Sequence, residues 1–173
     1  MFYDMLKSRR SIRKFQSRDV EKEKIDTILK SALMSPSSRA RKPWEFIAVT
    51  DRTLLQKLSD CRQNNSRFLV GAPLGIVVIA DRGASDIWIE DATIAAAIIQ
   101  LSAQSLELAS CWIHVRDRMH SENESADKYI ADLLEIPENY CVECMIAIGY
   151  PAEEKTEHEE KDLSDIKIHF NKY

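Results

Sequence analysis

No charged residue interrupts the chain between Ala92 and Leu106, and that run narrows the folds open to the sequence. Helical spacing over about Ile87 to Leu108 puts Ile94, Ile98, Leu101, Ser105 and Leu108 on one face. Ala95, Ile99, Ser102 and Leu106 fall on an adjacent one. A surface helix needs a single apolar stripe, whereas this arc is far wider, so the helix must be covered on two sides, at the centre of a domain or in a dimer interface. The run falls short of the ~20 residues of a bilayer span and contains Gln100, Ser102, Gln104 and Ser105. It reads as a buried helix of a soluble domain, with no membrane partner.

A chain of 173 residues, 45% hydrophobic and 30% charged, fits one domain over residues 1–173 that buries ~70% of its unfolded surface. Its formal net charge of −4 argues against a nucleic-acid binder, whose phosphate affinity comes from a broad basic face. The cations are local, so their anion should be small. The start, MFYDMLKSRR, has no apolar core or cleavage site of a secretory signal, and a cytoplasmic location is expected. Free thiols are expected for the four cysteines. CVEC at 141–144 lies in a strand-like stretch, where residues three apart point to opposite faces, so the two sulfurs should share neither a bridge nor a metal. His120, Glu122, Glu124, Glu157, His158 and Glu159 read as solvated loop residues rather than metal ligands.

The spacing predicts a short helix in FYDMLKSR, a second from Asp19 that Pro36 closes, and a third after the Asp51 cap. Strands are predicted at WEFIAVT, at LGIVVIAD, whose unbroken apolar run implies burial on both faces, at CWIHV and at CVECMIAIGY. SADKYIADLLEIP reads as a capped helix, YPAEEKTEHEEKD as a solvated loop, and DLSDIKIHFNKY as an alternating strand reaching for an edge or a partner subunit. Helices interrupt the strands, so the class is α/β or α+β. Only four glycines occur, and neither a Rossmann nor a P-loop pattern is present. A Gly-x-Ser-x-Gly elbow is also missing.

Two cationic stretches stand out in this acidic chain, RRSIRKF at 9–15 and SPSSRARKPWEF at 35–46. Guanidinium forks match phosphate oxygens and a serine hydroxyl adds a neutral donor, so Arg9, Arg10, Ser11 and Arg13 suit a phosphomonoester; a solvated basic turn is the other reading. Arg39, Arg41 and Lys42 suit either attraction of an NADPH phosphate or acidic substrate, or a solvated loop.

Taken in order, RRSIRKF, PSSRARKPWEF, APLGIVVIAD, WIEDATIAAAIIQLSAQSLELASCWI, GYPAEE and KIHFNKY resemble the nitroreductase family of flavin-dependent oxidoreductases across essentially the whole chain. The resemblance implies an α+β homodimer, each subunit a mainly antiparallel sheet flanked by helices, with exchanged C-terminal segments. It implies FMN at the subunit interface and NADH or NADPH as reductant. A nitroaromatic or quinone would then take the electrons in the same pocket by a ping-pong mechanism. Arg9 and Ser11 match positions that hold the FMN phosphate, with Arg10 adjacent, and Arg13 matches a basic residue directed at the flavin or its ribityl chain. Pro36, Ser37 and Ser38 match the loop that packs on the ring from the other subunit, with Trp44 anchoring it. Asn64 and Arg67 match residues at the pyrimidine edge, His114 and Val115 the strand end that offers backbone N–H to flavin N5, and Lys161 a cation that closes over the phosphate. A proton-donor role for His114 and a purely packed one both remain open.

The chain also departs from the family pattern. Ala40 and Lys42 replace the Asn and Gln of PSSxNxQPW, Glu107 and Ala109 replace the glycines of LGLGS, and His114 and Val115 stand where Gly-Gly is usual. Two alternatives follow. One is a flavin-binding module without turnover, its nicotinamide site filled by these side chains, and the other is a flavin oxidase or dehydrogenase acting on another substrate.

Overall fold

The computed structural model describes residues 1–64 and 66–173. Its centre is a four-stranded antiparallel sheet in the order β1-β2-β4-β3, formed by β1 (Trp44–Val49), β2 (Leu74–Asp81), β3 (Ala109–His114) and β4 (Tyr140–Gly149). Among the described residues five α-helices surround it: α1 (Phe2–Ser8), α2 (Lys22–Leu33), α3 (Arg52–Ser59), α4 (Trp88–Ser105) and α5 (Ala126–Leu134). The architecture is the expected α+β one.

The continuous apolar run of β2 follows from its position between β1 and β4. Ile76, Val78 and Ala80 face a core shared with α2 and α4, and Val77 and Ile79 face a second core beneath α3 and α5. Both faces are covered, so the strand cannot alternate apolar with polar residues. α4 lies across the first face with Ala92, Ala95, Ala96, Ile99 and Ala103 buried, small side chains that let the helix approach the sheet closely. Its other apolar flank is open in the single chain, with Ile94 41% exposed. Among the described residues no helix is long and apolar enough to cross a membrane.

α4 ends at Ser105, short of the expected Leu108. Leu108 N–H donates to Ala103 O at 3.0 Å and Glu107 N–H to Gln104 O at 3.2 Å, with Glu107 left-handed at φ 63°. This is a Schellman cap, in which glycine is usual after the helix, and Glu107 fills that position where the family pattern has glycine. α3 and α5 begin as expected, Asp51 accepting from Leu54 N–H and the Ser125 side chain from Lys128 N–H.

Three expectations need correction. Cys141 pairs with Ala80 and Cys144 with Val78, because the β2–β4 register shifts at Val78/Ile79; Glu143 is the extra residue of a bulge. Ala80 and Val78 share a face, so Cys141 and Cys144 do too, although both thiols are free. The C-terminal tail forms short 3-10 turns at Glu160–Asp162 and Asp165–Lys167 rather than a strand. A strand needs a neighbour for its backbone N–H and C=O groups, and among the described residues no strand pairs with the tail. Finally, the loop at 150–162 is not simply solvated: Ala152 N–H donates to Lys14 O at 2.9 Å and His158 N–H to Lys7 O at 3.0 Å, fastening it to the N-terminal segment.

Candidate cofactor site along the outer edge of β3

The segment 9–15 runs along the free edge of β3. Ser11 bridges Ser110 and Phe15 bridges Pro151, while Ile12 N–H donates to Ser110 O at 3.1 Å and Gln16 N–H to Tyr150 O at 2.9 Å. Alternate residues of an extended segment share a face. With Ile12 buried, Arg9, Ser11 and Arg13 fall together on the other side. The buried Cys111 thiol records that grouping: burial raises its pKa, and Arg13, Lys155, a hydrogen bond with Ser11, and Arg9 each oppose the rise. Arg10 leaves the group, its guanidinium donating to Thr156 O.

Lys155 is the residue that the sequence did not single out. Its Nζ donates to Ser11 O at 2.5 Å, and its neighbour Glu153 accepts from Arg13 N–H at 2.6 Å, a bond that holds the Glu153 carboxyl below the usual range. Nothing in the charged stretch AEEKTEHEEK distinguishes this lysine from its neighbours; only the docking of the loop on 11–14 does. Lys161 is not brought to the cluster. It lies in the exposed tail, paired with Glu159 at 2.6 Å.

Beyond Ser110 the edge is open. Ile113 pairs with Met145 and His114 with Cys144; Val115 N–H donates to Glu143 O at 3.3 Å and Ser110 O accepts from Ile12 on the opposite side. Antiparallel alternation therefore points the N–H and C=O of His114 away from β4. The carbonyl accepts from Arg62 Nη1 at 2.9 Å, which leaves the N–H facing outward. Val115 is fully buried with its N–H taken, so of this pair only His114 offers a backbone donor. Burial first, and then Arg118, Arg116 and Arg62, lower the pKa of the His114 imidazole, which favours its neutral form.

Asn64 lines an open pocket with Arg62, Gln63, Arg118 and Met119. Arg67, exposed, begins the turn Arg67–Gly71, and the next residue, Phe68, lies under the Arg13 guanidinium at 5.6 Å. Arg62 at the His114 carbonyl and Phe68 under Arg13 thus lie along the same edge.

Pro36, Ser37 and Ser38 open a strained loop elsewhere on the subunit. Arg39, Ala40 and Lys42 adopt φ of 50°, 53° and 48°, a conformation that costs about 1 kcal/mol or more for a side chain with Cβ. Ala40 holds it where the family pattern has Asn, which tolerates it better. Buried Asp91 fastens the loop by accepting from Ser38 N–H at 2.8 Å, and Ser37 Oγ accepts from Lys42 N–H at 2.9 Å. Trp44, 4% exposed, anchors its far end as expected. Trp44 Nε1 and Ser35 Oγ are both buried without a partner among the described residues. Arg41 pairs with Asp86 at 3.2 Å.

The bulge residue Glu143 is 2% exposed and accepts from Arg116 Nε at 3.0 Å, while its carbonyl takes the N–H groups of Val115 and Arg116. Burial raises its pKa above the ordinary glutamate value of 4.5 despite Arg116. A carboxyl raised on folding binds more protons folded than unfolded between the two pKa values, so its contribution to stability is present below about pH 4.5 and lost as pH rises through the folded value. The stability of the native chain minus that of Glu143→Gln, from urea unfolding at a series of pH values, is expected to decline over that window. A flat difference contradicts it.

An antiparallel sheet carrying a long helix, with an arginine- and serine-lined edge beside an outward backbone donor, defines a nitroreductase-like fold. The family model for the Nitroreductase family matches residues 6–62 and 57–150, and the chain belongs to that family. It is 37% identical over 174 residues to a protein of Archaeoglobus fulgidus named "Putative NADH dehydrogenase/NAD(P)H nitroreductase", spanning 98% of this chain and 97% of that protein. Among solved structures, an FMN-dependent nitroreductase from Clostridium difficile R20291 is 54% identical with a TM-score of 0.96, covering 98% of each chain. A "Putative NADH Oxidase" from Clostridium acetobutylicum is 32% identical with a TM-score of 0.89, covering 98% of this chain and all of that one.

Proposed function

We propose that the protein is an FMN-dependent oxidoreductase that uses NADH or NADPH to reduce small electron-poor acceptors such as nitroaromatics and quinones. The observation that carries this reading is the grouping of Arg9, Ser11, Arg13 and Lys155 around Ser110 and Cys111, with the outward N–H of His114 further along the same strand edge. The chemistry of these donors fits FMN: cations and a hydroxyl for a phosphate dianion, and a fixed N–H for an acceptor nitrogen of the ring system. The C. difficile structure, 54% identical and FMN-dependent by name, supports the same cofactor. FMN supplies two-electron transfer between nicotinamide and acceptor, the two occupying one pocket in turn, which is ping-pong behaviour.

The side chains supply binding and orientation. Arg9, Arg13, Ser11 and Lys155 hold the phosphate; Arg10 braces the loop through Thr156. His114 contributes its backbone N–H, and its neutral imidazole shields the strand end from water. Arg67 and Asn64 flank the ring's polar edge, where a cation favours negative charge. Val115 fills the core behind this position, and Lys161 remains with the tail.

The assembly is a homodimer in this reading. The open flank of α4 and the tail residues Ile166 and Phe170, 84% and 85% exposed, form apolar surface that a second subunit covers, and the same contact brings the Pro36–Ser38 loop to the partner's cofactor. The setting is the cytoplasm, where four thiols stay reduced.

One experiment tests the reading. The purified protein, loaded with FMN, is sedimented with detection at the flavin absorbance and then mixed anaerobically with NADH or NADPH. The flavin is expected to travel at about twice the chain mass and to bleach on mixing. A yellow protein that neither nicotinamide bleaches favours the binding module. Bleaching followed by reoxidation with oxygen but with no nitro or quinone acceptor favours the oxidase suggested by the C. acetobutylicum relative.

A further inference from the structure

We propose that Arg62 and Arg118 form an anion-binding corner of the acceptor pocket, which selects acceptors carrying a carboxylate. The proposal rests on the reading above, which sets the flavin ring against the His114 N–H and has the acceptor use the pocket at that ring.

Four observations carry it. Arg62 and Arg118 line one open pocket with Gln63, Asn64 and Met119, and Arg62 Nη1 is fixed at the outward end of β3 by its 2.9 Å bond to His114 O. The backbone around Arg118 is rigid: its N–H donates to Val115 O at 3.0 Å, its carbonyl accepts from Ala126 N–H at 2.8 Å, and Asp117 before it turns left-handed at φ 55°. Two acids close to the corner are held by Arg116 instead, Glu143 at 3.0 Å and Asp117 at 2.5 Å. Arg62 and Arg118 donate only to backbone oxygens, of His114 and Asp117 respectively, and neither has a carboxylate partner among the described residues. Their field reaches the strand end, for Arg118 and Arg62 both lower the pKa of His114. Two positioned guanidinium groups with donors to spare, at the rim of a pocket, match a planar carboxylate in a way that lysine ammonium groups would not.

Each charge-assisted hydrogen bond contributes about 1.5–3 kcal/mol, so loss of one arginine should weaken an anionic ligand about tenfold or more. FMN-loaded protein titrated calorimetrically with benzoate and with benzamide, which has nearly the same shape but no charge, is expected to prefer benzoate about tenfold. That preference should largely disappear in Arg118→Gln and fall in Arg62→Gln. In turnover, the ratio of kcat/KM for 4-nitrobenzoate over nitrobenzene should drop by a similar factor in the variants. Equal binding of benzoate and benzamide by the native protein overturns the proposal, as does a preference that survives in both variants. A change confined to the KM ratio of NADPH over NADH also overturns it, by moving the anion to the nicotinamide nucleotide. The calorimetric arm needs no turnover, so a flavin that nicotinamide does not bleach sinks the reductase reading alone and leaves the corner decided by the titration.

Discussion

The Arg9→Ala/Arg13→Ala double variant is expected to purify folded and colourless. Among the described residues neither guanidinium makes a hydrogen bond or ion pair within the protein: Arg13 lies over the Phe68 ring and is otherwise exposed, and the backbone of 9–15 is held by Ile12, Phe15 and Gln16 through bonds that the substitutions leave in place. Removing two charge-assisted hydrogen bonds at about 1.5–3 kcal/mol each weakens FMN by roughly 100-fold to 10,000-fold. Circular dichroism checks the fold and the visible spectrum, after dialysis against micromolar FMN, checks occupancy. A variant that stays fully yellow sinks the phosphate assignment. Lys155→Ala should weaken FMN less, because the two arginines remain.

Gly149→Ala should destabilise the protein out of proportion to one methyl group. A Cβ at Gly149 would lie 2.6 Å from Pro73 Cδ, 2.9 Å from Pro73 Cγ and 3.1 Å from Phe15 Cδ1. The proline ring cannot rotate away, since it is locked into the chain immediately before buried Leu74, the first residue of β2. Overpacking of this kind costs about 1–3 kcal/mol, which in a domain of this size lowers Tm by a few to about ten degrees. Phe15 is the other neighbour and ends the segment that carries the arginine cluster, so FMN affinity should fall as well. Gly71→Ala is the control, with nothing within 4 Å of its added Cβ, and should leave Tm nearly unchanged. An equal Tm for both variants would falsify the steric account.

Features fixed by local pattern were legible in the sequence. The unbroken LGIVVIAD run declared a strand covered on both faces, the uncharged run of α4 declared a helix packed on the core, and the Asp51 and Ser125 caps marked helix starts. Features created by register or docking were not. A bulge adds one residue to a strand without changing its composition, so Cys141 and Cys144 looked opposed when they share a face. Lys155 is one of many charges in its loop until Ala152 pairs with Lys14. The tail alternates like a strand, but alternation cannot supply the neighbour that a strand requires. His114 was placed at the strand end by resemblance, and the alternation of β3 then decided that its own N–H, rather than that of Val115, is the free one.

The bulge at Glu143 also divides β4 into two halves of opposite phase. Residues before it count inward and outward on one parity and residues after it on the other, so the strand is not a single modular unit. A chimera that exchanged all of β4 for a regular strand of equal length would seat one half correctly and turn the other inside out. A viable splice therefore has its junction at the bulge.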